Sequence, residues 1–324
     1  MKCLALFSGG LDSMLSIKLI TEQNIEVHAL NIDIGFGGDS DKNALMEKRA
    51  NLAGASFESI NIREKYLKEV LFSPKYGYGK HFNPCIDCHG FMFKTALDLL
   101  TTYKADFVIS GEVIGQRPMS QRKEALNQVK KIANSDLILR PLCAKLLPPT
   151  LPEIQGWVDR DKLLDISGRG RSRQLDLAKK FGFDDFESPA GGCPLTTEVM
   201  SNRIKDFIKY DKQMNANDFQ ILRFGRHLRL PDGAKLIIGR DESENNILKK
   251  LKSDKFQSVN ILNLIGAFVL ISKQASLKDQ KLAAKLAAAY AKSKFDQIYQ
   301  AQIGENKFEI SPINKEEAKQ YFVG

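Results

Sequence analysis

The 324-residue chain has no apolar run long enough to cross a bilayer. The longest, Val259–Ser272, spans 14 residues and is broken by Asn260 and Asn263, whereas a membrane helix needs about 20 consecutive apolar residues. The N-terminus offers one lysine and a short apolar stretch, Cys3–Phe7, too little for an export signal. Cysteine is sparse and odd in number, five in all, which argues against a disulfide framework. No internal repeat and no low-complexity tract interrupts the chain. These absences point to a cytoplasmic protein with no membrane partner. What is present suits a packed interior: 43% of residues are hydrophobic and 27% charged, which excludes bulk disorder, and the length implies about two domains.

The net charge is +9, a modest excess that attracts phosphates. It is uneven. Residues 213–324 hold 18 Lys/Arg against 12 Asp/Glu, so two thirds of the excess lies in about a third of the chain. The hydrophobic patterning changes there as well. Up to Leu142, strand-like runs (Cys3–Phe7, Val27–Asp33, Phe57–Ile62, Asp106–Ser110, Leu137–Leu142) alternate with helical ones (Leu11–Gln23, Lys42–Ala53, Arg63–Phe72, Gly90–Tyr103, Gln121–Ala133). This alternation predicts βαβ units in a doubly wound parallel sheet, with ligands beyond the C-terminal strand ends. Helices are expected at Asp161–Ile166, Arg171–Phe181 and Glu198–Tyr210. Beyond Met214 the pattern predicts a smaller α+β module. It comprises a hairpin of Phe219–Leu230 with Lys235–Ile238, a short helix Asn245–Leu251 and a bent strand or strand pair over Val259–Ser272. A helix Leu277–Ser293 and a hairpin of Gln297–Ile303 with Lys307–Ile310 complete it. The expected organisation is residues 1–165 as the sheet domain, 166–212 as a helical connection carrying Cys193, and 213–324 as the basic module.

Ser8-Gly9-Gly10-Leu11-Asp12-Ser13 follows the first strand and opens the first helix. Two glycines allow close backbone approach to a phosphate, the serines add hydroxyl donors, and the free N–H groups of the helix start face an anion. A Walker A loop is excluded because its lysine is missing. The stretch closely resembles the pyrophosphate loop of the PP-loop ATP pyrophosphatases, adenine nucleotide alpha hydrolase-like proteins that cleave ATP between the α and β phosphates to adenylate a substrate. The resemblance implies ATP and Mg²⁺ as cofactors, with Ser8, Gly9, Gly10, Asp12 and Ser13 at the nucleotide and Asp12 acting through the metal or by holding the loop. Gly111-Glu112-Val113-Ile114-Gly115-Gln116, running on to Ser120-Gln121, resembles the nucleotide-covering stretch of the tRNA 4-thiouridine synthases, which brings Gly111 and Gln116 to the same site. Arg117 and Pro118 replace smaller residues of that pattern.

Cys3 and Cys143 lie in apolar stretches and read as core residues. Cys85, Cys88 and Cys193 lie in polar, Gly/Pro-rich segments. Asn83-Pro84-Cys85-Ile86-Asp87-Cys88 resembles the catalytic loop of the tRNA 2-thiouridine synthases, which pair that cysteine with a distant one; the resemblance implies Cys88 and Cys193 as the catalytic pair. Cys85 departs from the pattern. A third cysteine resembles instead the tRNA thiolases that hold a 4Fe–4S cluster on three cysteines, which implies Cys85, Cys88 and Cys193 as ligands. Chemically, a thiolate at a helix start near Lys80 or Lys94 would have a lowered pKa and carry a persulfide. Three thiolates would bind iron, and a zinc site using His89 is a further alternative.

Arg169, Arg171 and Arg173 crowd a helix start, where they suit a backbone phosphate. Arg223, Arg226 and Arg229 recur at spacing three among Phe219, Phe224 and His227, and Arg240 follows a strand. Gly239-Arg240 followed by Asn245-Asn246 resembles the signature of the NFACT-R RNA-binding module. Together these resemblances imply an ATP-dependent tRNA sulfurtransferase, with tRNA and a sulfur donor protein or sulfide as partners. Two other readings stay open: an adenylating ligase or amidotransferase with another substrate, and a non-catalytic ATP-binding RNA-binding protein.

Overall fold

The structure is a computed structural model describing residues 1–36, 42–187, 192–211, 214–251 and 253–324. It divides into two compact units, Met1–Cys193 and Pro194–Gly324. The stretch 166–212 is therefore shared between the units, with Cys193 the last residue of the first.

In the first unit, described strands β1 (Lys2–Leu6), β2 (Glu26–Asp33), β3 (Ser56–Asn61), β4 (Phe107–Ser110) and β5 (Ile138–Leu139) form one sheet in the order β3-β2-β1-β4-β5. Every neighbouring pair is parallel. Residues Cys3, Leu4, Ala5, Val27, Ala29 and Leu30 are buried, as strands covered on both faces require. The helices are α1 (Leu11–Thr21), α2 (Lys42–Ala53), α3 (Arg63–Tyr66, continuing as a π-turn over Leu67–Leu71), α4 (Cys85–Asp98), α5 (Leu100–Tyr103), α6 (Lys123–Ala133), α7 (Leu151–Ile154) and α8 (Ser172–Phe181). Two expectations change. The helix predicted from Gly90 starts at Cys85, because Asp87 in its first turn is buried and accepts the backbone N–H groups of Lys75 (2.8 Å) and Tyr76 (3.0 Å), anchoring the preceding loop. The helix predicted at Asp161–Ile166 is only a 3₁₀ turn over Arg160–Lys162, capped by Asp159.

The chain leaves β1 toward one side of the sheet and reaches β4 on the other. The strand order thus reverses between β1 and β4, and the crevice at their C-terminal ends is where doubly wound sheets bind ligands. The Ser8–Ser13 loop follows β1 and the Gly111–Gln121 segment follows β4, so both predicted nucleotide segments border that crevice.

The second unit contains α9 (Glu198–Tyr210), α10 (Ala216–Leu222), β6 (Arg226–Arg229), β7 (Lys235–Ile238), α11 (Glu242–Lys250), β8 (Phe256–Ile261), β9 (Val269–Ser272), α12 (Leu277–Ala289), β10 (Tyr299–Ile303) and β11 (Asn306–Ile310). Its strands form an antiparallel sheet in the order β11-β10-β8-β9-β7-β6. Helix α12 covers it with Ala283, Ala284, Leu286, Ala287 and Ala288, all buried. Residues Phe219–Leu222, expected in a strand, are helical: Asn215 and Asp218 form a reciprocal capping box that starts α10. Val259–Ser272 resolves into parts of two paired strands, β8 and β9. Among the described residues no helix is long and apolar enough to cross a membrane.

Candidate active site

The turn from β1 into α1 places Gly9 at φ +76°, a backbone state that glycine adopts without strain. A side chain there would meet Met46 Cγ at 3.1 Å. The Gly9 carbonyl accepts from the buried Arg49 guanidinium (3.2 Å), which also reaches Asp185 (2.9 Å). Ser13 Oγ donates to the Gly10 carbonyl (2.7 Å). Gly10 forms a parallel bridge with Glu187, so the chain at Glu187 runs beside the loop. Sequence reading gave no role to Arg49, and nothing local in the sequence marks it.

Gly111 sits directly on the first turn of α1. A Cβ added there would lie 2.6 Å from the Asp12 carbonyl carbon and the Ser13 nitrogen. Gln116 Nε2 donates to Asp12 Oδ2 (2.6 Å), and Arg171 Nη2 lies 3.7 Å from the same oxygen. Thus Gly10, Asp12, Ser13, Gly111 and Gln116 come together. Asp12 Oδ1 is buried without a hydrogen-bond partner. A buried carboxylate oxygen beside the free N–H groups of a helix start suits a hydrated Mg²⁺ and a polyphosphate.

The cysteine segment adjoins the same rim. Asn83 Nδ2 donates to Cys85 Sγ (3.1 Å) and lies 3.9 Å from Met119 Sδ. One residue past Cys88, His89 Nδ1 is 2.7 Å from Glu112 Oε1, and Glu112 Oε2 accepts from Arg140 Nε (2.8 Å). Burial alone would raise the Glu112 carboxyl, but Arg140 and His89 overcome it and hold the group down at about 2. The His89–Glu112–Arg140 triplet therefore ties α4 to the segments after β4 and β5. Arg140 was invisible to sequence reading, since its partners lie 28 or more residues away.

Part of Cys88 reaches solvent, yet the packing around it pushes its thiol well above the usual range. Cys193 adds to this rise, and the hydroxyl of fully buried Tyr66 offsets part of it. Cys85 acts on Cys88 as well. The three cysteines therefore share one electrostatic neighbourhood, although Cys193 lies 105 residues beyond Cys88 in the chain. The lowered thiol expected for Cys88 is corrected: burial and its sulfur neighbours outweigh the helix start, and Lys94 is paired instead with Asp98 (3.0 Å). Among the described residues no group of three or more His, Cys, Asp or Glu side chains is placed to hold a metal ion. The three-cysteine cluster and the zinc site do not fit the side chains as they stand. The Ser188–Gly191 part of the loop before Cys193 lies outside the described residues, as does Gln213, the expected start of the basic module. Cys3 and Cys143 are fully buried, and burial pushes the Cys143 thiol up to about 11.

The expected RNA-contacting arginines separate. Arg169 and Arg173 are exposed, and Arg173 pairs with Asp165 (2.7 Å). Arg171 is turned toward Asp12. In the second unit, Arg226 stacks on Tyr290 (5.1 Å) and Arg223 on Phe224 (5.3 Å). Arg240 is half-exposed and bonded to Glu244 through Nε (2.9 Å). Gly239 leaves room for Asn245, whose Oδ1 would lie 2.1 Å from any Cβ there and accepts from Phe268 N (2.8 Å). The Gly239–Asn245 pair thus shapes the turn that carries Arg240.

Residues 1–136 match the family described as tRNA methyl transferase HUP domain, and residues 225–322 the family described as NFACT protein RNA binding domain. The first match lies within the first compact unit and the second within the second. Curated relatives include the tRNA-specific 2-thiouridylase MnmA of Petrotoga mobilis, 30% identical over 130 residues (35% of each chain). Another is MnmA 2 of Clostridium tetani, 32% identical over 124 residues (34% of this chain and 35% of the relative). The chain spans about a third of the length of these curated relatives. A crystal structure of a 4-thiouridine synthetase–RNA complex with bound ATP is 20% identical, at a TM-score of 0.39 over 56% of this chain and 41% of that one. The two domain matches bear out the resemblances read from Ser8–Ser13 and from Gly239–Asn246.

Proposed function

We propose that the protein is an ATP-dependent tRNA sulfurtransferase. The observation that carries this reading is the rim itself: Gly111 and Gln116 close on Asp12 of the Ser8–Ser13 loop, and the His89–Glu112 contact brings the segment bearing Cys85 and Cys88 beside it. An adenylating ligase or amidotransferase would use the loop and give the cysteines beside it no task. The family of the N-terminal match and the thiouridylase relatives support the same reading.

In this reading a uracil carbonyl oxygen of tRNA attacks the α-phosphorus of ATP. The bond between the α-phosphorus and the bridging oxygen breaks, and pyrophosphate leaves. Asp12 would hold the Mg²⁺, which when bound would neutralise charge on that leaving group. Gln116 holds Asp12 in place, while the unpaired N–H groups at the start of α1 would face the phosphates. The carbonyl carbon, now carrying AMP, is open to a sulfur nucleophile. A terminal sulfur borne on Cys88 or Cys193 attacks and displaces AMP, leaving a disulfide between enzyme and nucleotide. Attack by the thiolate of the other cysteine on the enzyme's own sulfur releases the thiouridine and leaves a Cys88–Cys193 disulfide, which an external thiol must reduce. A persulfide-bearing donor supplies the sulfur: the cysteine thiolate takes its terminal sulfur and the donor leaves as a thiol. The NFACT-type unit, with Arg223, Arg226 and Arg240, and exposed Arg169 and Arg173 serve as tRNA contacts.

Mass spectrometry of tRNA nucleosides from a strain lacking the protein tests the reading. One thiouridine should disappear and return with the wild-type gene, but not with Asp12→Ala or Cys193→Ala. A full complement of thiolated nucleosides in the deletion strain would contradict it.

A further inference from the structure

Three buried polar atoms without hydrogen-bond partners meet around the start of α1: Asp12 Oδ1, Arg171 Nε and Gln174 Oε1. Folded proteins leave few such atoms unmade, because each costs about 1–3 kcal/mol. These three are linked to one another. Gln174, wholly buried one turn into α8, donates to Gln116 Oε1 (3.4 Å). Gln116 in turn donates to Asp12 Oδ2, and the Arg171 guanidinium lies 3.7 Å from that oxygen. Such a set, one cationic donor among oxygen acceptors at an anion-facing helix start, is complementary to a metal-bound polyphosphate.

The backbone before Arg171 is held to the same wall. Ser167 forms a parallel bridge with Ile114, Gly168 N donates to the Ile114 carbonyl (2.7 Å), and Gly115 approaches Gly168 so closely that a Cβ would lie 3.4 Å from its nitrogen. Helix α8 is seated by Ala178 and Leu177 in the core that holds α1, and its first turn has no acidic residue to oppose an anion. Ser167, Gly168, Arg171 and Gln174 lie beyond residue 136, where the HUP-domain match ends. Arg169 and Arg173, which flank Arg171, are exposed, whereas the Arg171 side chain is 15% exposed.

We propose that Arg171 is a ligand of the ATP polyphosphate, positioned by the Gln174–Gln116 pair, and not a tRNA contact. A guanidinium presents a planar fork of donors that matches phosphate oxygens, and Nε is the donor that now lacks an acceptor. The inference rests on the ATP reading of the Ser8–Ser13 loop.

The test is calorimetric titration of the full-length protein, without tRNA, with MgATP, Mg-pyrophosphate and AMP. Arg171→Ala should weaken MgATP and pyrophosphate about 10- to 100-fold, the loss of a charge-assisted contact, while AMP binds as in the wild type. Arg171→Lys should recover part of the loss, since it restores charge without the fork. Lys179→Ala, an exposed change on the same helix, should bind as the wild type, and tRNA affinity of Arg171→Ala at fixed salt should be unchanged. The proposal is overturned if Arg171→Ala binds MgATP and pyrophosphate normally, if it loses tRNA instead, or if AMP weakens in parallel in both Arg171 variants. Failure of the wild type itself to bind MgATP would overturn the ATP reading as well, which separates the two failures.

Discussion

Glu112 joins the helix of the cysteines to the nucleotide rim. Its carboxylate is buried against Arg140 and His89, and its folded value of about 2 lies below the 4.5 of a free glutamate. A carboxyl lowered on folding contributes stability that is complete above about pH 4.5 and is lost as pH falls toward 2. Glu112→Gln should therefore lose about 3–5 kcal/mol near neutral pH, because it leaves the Arg140 charge buried without its counterion. The gap between variant and wild type should narrow on acidification through that window. Melting curves from pH 2 to 7 check this, and a gap that stays constant would show the carboxylate to be uninvolved. At this scale the sequence was partly legible. Glu112 stood in a recognisable stretch and Asp12 in another, but Arg140, Arg49, Tyr66 and Gln174 act only through contacts that the fold creates between distant segments. The Cys88 thiol was misjudged for the same reason: its helix-start position is local information, while its burial and its neighbour Cys193 are not.

Gly111 shows how one element constrains another. Its missing side chain lets the segment after β4 rest on the backbone of Asp12 and Ser13. Gly111→Ala should cost about 1–3 kcal/mol, as overpacking does, and weaken MgATP by pushing the Gln116 side of the site away from the phosphate loop. Chemical denaturation and nucleotide titration measure the two effects. Wild-type ATP affinity in a destabilised variant would mean that the segment is not part of the nucleotide site. The parallel sheet and its ligand rim were legible because strand and helix periods alternate cleanly up to Leu142. Element starts were harder to read. Gly90 looked like a boundary, yet it lies inside α4, where a Cβ would strike Ile132 at 2.6 Å; it is the close-approach point between α4 and α6. Phe219–Leu222 looked like a strand by composition, and the Asn215-x-x-Asp218 capping signal that makes it helical was present but unused.

At the scale of the molecule, the chain divides into two compact units between Cys193 and Pro194; the boundaries at 165 and 212 straddle that point because helices lie on both sides of it, Ser172–Phe181 before and Glu198–Tyr210 after. A chain ending at Cys193 should bind tRNA more weakly and with a shallower salt dependence, since fewer phosphate contacts release fewer counterions, while retaining MgATP. Filter binding across a salt series checks this. Identical affinity and slope would give the NFACT-type unit another task. The central claim is that ATP cleavage and sulfur transfer to tRNA are one reaction. Its most direct test is the ratio of AMP released to thiouridine formed when the purified protein is incubated with Mg²⁺, ATP, unmodified tRNA, a persulfide-bearing sulfur donor and a thiol reductant. The expected ratio is about one, as each displacement expels one AMP, with no thiouridine from Cys193→Ala. AMP formed on tRNA with no sulfur incorporated would contradict the claim.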